Sequence, residues 1–163
     1  MVAHVQTFKT STILGSPSSD NLVGSFVHQI GVGEDPGSAF GIGVRWTIGA
    51  FEPQLLILPP DDGGLVLVGF DTEIVALSWS ALVTDFRIEF ESYFRSMFFL
   101  KGVGILAVEE IGVSLISLAG EKLWGVVRDV LTEVRLDRNR ALYLSFMDSP
   151  SLTIDLESGL PRP

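Results

Sequence analysis

Cysteine is absent from these 163 residues, and histidine occurs only as His4 and His28. The missing thiols exclude disulfides and cysteine nucleophiles, and they fit a reducing compartment. Two histidines so far apart in sequence do not make the clustered ligand set that a transition metal needs. No G-x-S-x-G elbow is present to activate a serine. Basic residues are scarce too, with 11 Lys and Arg against 20 Asp and Glu, a net charge of −9 and a pI near 4.5. Such a field repels phosphate, so nucleic acid and anionic membrane surfaces are poor partners. Arg135, Arg138 and Arg140 do lie close together, but Asp137 interrupts them. A membrane-spanning run of about 20 apolar residues is missing as well. The richest stretch, from Ser96 to Gly120, is broken by Lys101, Glu109 and Glu110, and Gly102, Gly104 and Gly112 suit turns. The start, MVAHVQTFKTS, lacks the pattern of a secretory signal. The expected location is cytoplasmic.

What the chain has is apolar mass. Hydrophobic residues make up 47% and charged residues 19%, and mean hydropathy is +0.41. A filled core accounts for most of that surplus, and a surface for self-association would account for the rest. The length suits a single domain over 1–163. Within it, 1–53 forms a glycine-rich part and 54–163 a series of β-hairpins. GVGEDPGSAFG suggests loops, Leu22 to Ile30 a short apolar strand, and Ile42 to Ile48 a loosely alternating one.

Beyond Gln54 the alternation sharpens. LVLVGF, the polar break Asp71-Thr72-Glu73 and IVALSW read as a hairpin. In FRIEF, Phe86, Ile88 and Phe90 point one way while Arg87, Glu89 and Glu91 point the other, as in a strand with one wet face. LWGVV and VLTEVRL read as further strands, the latter running into the turn Asp137-Arg138-Asn139-Arg140. The fold class expected is therefore all-β, with room for one short helix. The hairpins would close as an antiparallel sandwich or barrel, with a propeller-like arrangement as the runner-up.

A repeat supports the last possibility. LVLVGFDTEIVALSWSA at 65–81 moves by 39 residues onto GILAVEEIGVSLISLAG at 104–120, and by 39 more onto YLSFMDSPSLTIDLESG at 143–159. Ile74, Val113 and Leu152 fall in register, as do Leu77, Ile116 and Asp155. GVSLISLAGEKLW, with Trp124 after Gly120, resembles the strand–turn–strand core of WD-type and quinoprotein-type β-propeller repeats. DLESG at 155–159 is similar to their residue-loop-glycine turn. The resemblance spans 65–159 and departs from the pattern in lacking any Trp-Asp or Gly-His pair. It implies a binding scaffold, and supplies no chemistry.

Chemistry has few other places to sit. His28, in SFVHQIG, reads as a strand residue, and His4 lies near the terminus. Asp71, Glu109, Glu110 and Asp148 recur at turns without the D-x-D-x-D-G spacing of a calcium loop. Asp61-Asp62 reads as a solvated turn, and Glu89 and Glu91 as outward charges on a wet face beside Arg87. The G-x-G triplets precede no amphipathic helix, which a dinucleotide fingerprint requires. No catalytic residue, cofactor or metal ligand is assigned.

Aromatics are the remaining feature. SYFRSMFFL at 92–100 alternates as a strand with Phe94 and Phe98 on one face, and Tyr93, Met97 and Phe99 on the other. A helix also fits, since Phe94, Met97, Phe98 and Lys101 follow three–four spacing. Tyr93, Phe94, Phe98 and Phe99, with Trp79 and Trp124, are the candidate interaction surface wherever they are not core. Three functions stay open. The first is a non-enzymatic, acidic binding or regulatory module of the immunity-protein kind, with a basic protein as partner. The second is a self-assembling structural protein, and the third an enzyme using scattered carboxylates.

Overall fold

A computed structural model describes residues 11–15, 22–30, 40–47, 49–79 and 83–162. His4 and most of GVGEDPGSAFG lie outside the described residues. Fourteen strands are described, in four sheets. Sheet A holds β1 (Ser11–Gly15), β2 (Leu22–Ile30) and β3 (Phe40–Thr47) in the order β1-β3-β2. β1 runs parallel to β3 and β2 antiparallel, with His28 opposite Ile42.

The other sheets are antiparallel meanders. Sheet B is β4 (Gln54–Leu58), β5 (Leu65–Phe70), β6 (Glu73–Ser78) and β7 (Thr84–Glu89). Sheet C is β8 (Phe94–Leu100), β9 (Gly104–Glu109), β10 (Gly112–Ile116) and β11 (Lys122–Val127). Sheet D is β12 (Leu131–Leu136), β13 (Ala141–Phe146) and β14 (Leu152–Asp155). Spatial order follows chain order in each of these three sheets, which keeps every link short.

Pleating explains how the sheets stack. Successive side chains point to opposite faces, and β5, β6, β9 and β10 are apolar on both. One face of B packs on C, where Leu65, Leu67, Ile74 and Ala76 meet Met97, Ile105, Ala107 and Ile116. The other face of B meets sheet A, with Val66, Val68, Phe70, Val75 and Leu77 against Ile42 and Val44. The second face of C packs on D through Leu106, Val108 and Val113 against Leu142, Leu144, Phe146 and Ile154. The first strands β4 and β8 lie beside one another, while β7 and β11 form far edges of their sheets.

Backbone hydrogen bonds join one sheet to the next at one end of the stack. Phe94 N–H donates to the Asp71 carbonyl at 2.6 Å, and Leu131 N–H to the Glu110 carbonyl at 2.8 Å. Phe90 N–H donates to Thr72 at 2.7 Å, and Arg128 N–H to Ile111 at 3.0 Å. Glu110 N–H donates to Tyr93 at 2.8 Å, and Met147 N–H to Val130 at 2.9 Å. The first pair crosses from B to C and from C to D, and the other two pairs extend the ladders within B, C and D into the connecting segments. Asp71 Oδ1 accepts from Thr47 N–H at 2.7 Å and ties sheet A to the same turn.

At the opposite end, a glycine turn after the third strand covers an aromatic on the previous sheet. Gly120 lies on Phe86, and Gly159 lies on Trp124. Both glycines have positive φ, 82° and 68°. An added Cβ would lie 2.5 Å from Phe86 Cγ in the first case and 2.6 Å from Trp124 Cγ in the second. Trp124 Nε1–H also donates to the Leu156 carbonyl at 3.0 Å.

The 39-residue shift carries the pairs Val66↔Leu77, Leu67↔Ala76, Val68↔Val75 and Gly69↔Ile74 onto Ile105↔Ile116, Leu106↔Leu115, Ala107↔Ser114 and Val108↔Val113. The third copy does not keep that register. A second shift would place Phe146 opposite Thr153, whereas Tyr143 occupies that position. The longer β13–β14 turn takes up the difference. Residues 92–100 include a strand, not a helix, and a register break between Phe94 and Ser96 alters its faces. Phe94, Met97 and Phe99 consequently share the B–C core, while Phe98 points away from it.

Substituting Gly120→Ala should cost about 2–4 kcal/mol, from left-handed strain plus the clash with Phe86. Gly102→Ala, with positive φ but open space around it, should cost about 1–2 kcal/mol from strain alone. Denaturant unfolding of both variants measures the difference.

Candidate interaction surface

The structure separates the six candidate aromatics. Phe94 is fully buried in the B–C core, with Phe99 packed at that cluster's margin. Trp79 packs at the margin of the A–B cluster and Trp124 at that of the C–D cluster. Tyr93 is half-buried in the link between B and C. Phe98 is 51% exposed and lines an open cleft of about 200 Å³ with Arg95, Ser96, Thr132 and Glu133. The six do not form one patch.

A different surface forms at the stitched end, where the turns Asp71–Thr72, Glu110–Ile111 and 147–151 converge with the intersheet links. Glu52, Glu89, Glu91 and Asp148 are exposed there, and Glu110 and Asp129 are half-buried. Phe51 and Met147 are exposed among them, Met147 at 63%. Arg95 ties Phe51 to sheet D, because its guanidinium lies 5.3 Å from the Phe51 ring centre and donates to the Leu131 carbonyl at 2.5 Å. Arg128 lies over Phe146 and donates to the Pro150 carbonyl at 3.2 Å. The end is thus acidic, with its arginines held by backbone and rings. Phe51 and Met147 sit in loops with no periodicity to mark them. The signal available in the sequence was the recurrence of acids at alternate turns.

Three carboxylates show how burial and partners compete. Glu73 is buried and has its pKa raised, chiefly by desolvation. Arg87 offsets this in part, and Glu89 and Asp71 reinforce it. The Arg87 Nη1–Glu73 Oε2 pair is 2.8 Å long. Glu109 is fully buried between B and C, and its Oε1 accepts from Ser114 Oγ at 2.8 Å. Its Oε2 has no hydrogen-bond partner. Asp129 accepts from the Val130 and Asp148 N–H groups and from Ser149 Oγ, holding the β13–β14 turn against the C–D link. Those bonds, led by the Asp148 N–H, lower its pKa. Among the described residues, no three His, Asp or Glu side chains gather as metal ligands would. No helix among them is long and apolar enough to cross a membrane.

No family model matches the chain, and no curated protein matches it by sequence. Solved structures do match by shape. The WD40 domain of Pan2 from Neurospora crassa superposes with a TM-score of 0.53 at 12% identity, over 68% of this chain and 36% of that one. BamB from Moraxella catarrhalis gives 0.49 at 13% identity, over 72% and 37%. The chain spans about a third of the length of each. The first match supports what the stacked four-stranded meanders already indicate. The fold is all-β and hairpin-built, and its likeness is to β-propeller proteins.

Replacing Ser114 by Ala should cost about 1–3 kcal/mol, because buried Glu109 then loses its partner. The pair Ser114→Ala/Glu109→Met should recover most of that loss in the same unfolding measurement. A second prediction concerns Asp155, whose pKa lies far below the usual range because of Arg162 first and Ser158 next. A depressed folded-state pKa adds stability that is complete above the ordinary carboxylate range and is lost as pH falls through the folded value. Arg162→Ala should therefore move the NMR titration of Asp155 upward and bring acid unfolding on at higher pH.

Proposed function

We propose that this chain is a non-enzymatic protein-binding module that offers the stitched, acidic end of its sheet stack to a basic partner. The observation carrying this is that Glu52, Glu89, Glu91 and Asp148 are exposed at the same end of the sheets as the exposed Phe51 and Met147. Apolar anchors inside a charged rim are the usual anatomy of a protein contact. Like charges at that density also raise association rates with a cationic surface. Turns held at both ends by strands present such a surface with little ordering cost on binding. Where the partner is itself an enzyme, the module would act as its inhibitor, in the manner of an immunity protein. The likeness to a WD40 domain supports a scaffold at the level of fold, and the partner's identity is outside it.

The test is capture of partners from lysate at low salt by the immobilised chain and by a Glu52→Lys/Glu89→Lys/Glu91→Lys variant. The expected result is retention of basic proteins that elute as salt rises, with retention reduced about tenfold or more in the variant. Equal retention by both proteins, or none at low salt, would overturn the proposal.

A further inference from the structure

A sheet inside a stack needs two apolar faces, and B and C have them. Sheet D does not. Leu142, Leu144, Phe146 and Ile154 point toward C, so alternation turns Ala141, Tyr143, Ser145, Thr153 and Asp155 to the far side. These are the positions where C presents Leu106 and Val108 to its neighbour. Among the described residues nothing packs on that face. The free edge of β14 is closed as well. Asp155 N–H donates to the Leu160 carbonyl and Arg162 N–H to the Thr153 carbonyl, both at 2.8 Å. Pro161 pairs with Ile154 and has no N–H to pass on.

The far face is organised. Arg135, Tyr143 and Thr153 stand side by side across the three strands, in direct register. The Arg135 guanidinium lies 5.1 Å from the centre of the Tyr143 ring, and the Tyr143 hydroxyl donates to Ser151 Oγ at 3.0 Å. Arg138 reaches the same place from the β12–β13 turn, and the small side chain of Ala141 lies between. Together with Leu136 and Asp137 they line an open cleft of about 410 Å³. Four other cations, Arg87, Lys101, Arg140 and Arg162, are ion-paired. Arg135 and Arg138 make no ion pair among the described residues. Of the nearby acids, Glu133 shares the face two residues from Arg135 without an ion pair among the described residues, and Asp137 and Asp155 are engaged elsewhere. Asp137 Oδ1 accepts from the Asn139 and Ala141 N–H groups, and Asp155 pairs with Arg162.

We infer that this cleft is a binding site for an oxyanion, a carboxylate or phosphate group held by the guanidinium groups of Arg135 and Arg138 beside Tyr143. Two unpaired guanidinium groups in a chain of net charge −9 stand apart from the general acidity. A guanidinium lying along a ring keeps its fork free for bidentate contact with such a group. The Thr153 hydroxyl, in the same row, can donate to a third oxygen. The site is separate from the acidic end and does not depend on its role.

Calorimetric titration of the full chain at low ionic strength tests this with three probes: inorganic phosphate, acetate and O-phosphotyrosine. Saturable binding of at least one probe is expected. Arg135→Ala and Arg138→Ala should each weaken it about tenfold. Arg135→Lys, which keeps the charge but loses the fork, should weaken it several-fold. Arg128→Ala should leave it unchanged, and circular dichroism checks that each variant stays folded. Tighter binding of the phosphate probes identifies a phosphate source, and tighter acetate a carboxylate one. Absence of saturable binding to every probe, or an equal loss in Arg128→Ala, overturns the inference.

Discussion

The arrangement rests on one backbone hydrogen bond that recurs between neighbouring sheets, flanked by two that extend the ladders into the connecting segment. A meander closes its own ladder but says nothing about where the next meander goes. The bond from Phe94 N–H to the Asp71 carbonyl sets that placement for B and C, while those from Phe90 N–H to Thr72 and from Glu110 N–H to Tyr93 extend the ladders of B and C into the link. Those at Arg128, Leu131 and Val130 repeat it for C and D. Each is individually worth about 0.5–1.5 kcal/mol. Their larger effect is geometric, because they hold the links while the apolar faces close. The aromatic–glycine contacts at the other end, Phe86 with Gly120 and Trp124 with Gly159, stop the sheets from splaying there.

Much of this is legible in the sequence. Alternation in FRIEF predicts Ile88 and Phe90 inside and Glu89 outside, and that is where they lie. The Asp71-Thr72 break is a two-residue turn, and the 39-residue shift relates two hairpins pair by pair. Other features leave no local trace. The register break beside Arg95 turns Phe98 away from Phe94, because an extra residue reverses the side-chain alternation that periodicity arguments assume. The parallel pairing of β1 with β3 joins residues far apart in sequence. The third hairpin's register depends on a turn whose length is not legible from apolar spacing.

The candidate surfaces were harder to see for a related reason. Exposed Phe51 and Met147 belong to loops, and their meaning comes from which turns the stack brings together. The aromatics singled out by type mostly fill the spaces between sheets, as large apolar side chains in a well-packed stack must. Arg135, Tyr143 and Thr153 are distant in sequence and become neighbours only through the ladders of D. Charge is likewise sorted by architecture. Acids at alternate turns accumulate at one end, and two unpaired arginines remain on the outer face of the last sheet.

Because each sheet carries its own links to the next, length in this design is quantised. Removing or duplicating a block from one intersheet link to the equivalent link would delete or add a whole layer, leaving the neighbouring contacts chemically intact. A shorter cut would place apolar residues where the pleat demands polar ones. Such a molecule is free to evolve by whole-unit duplication.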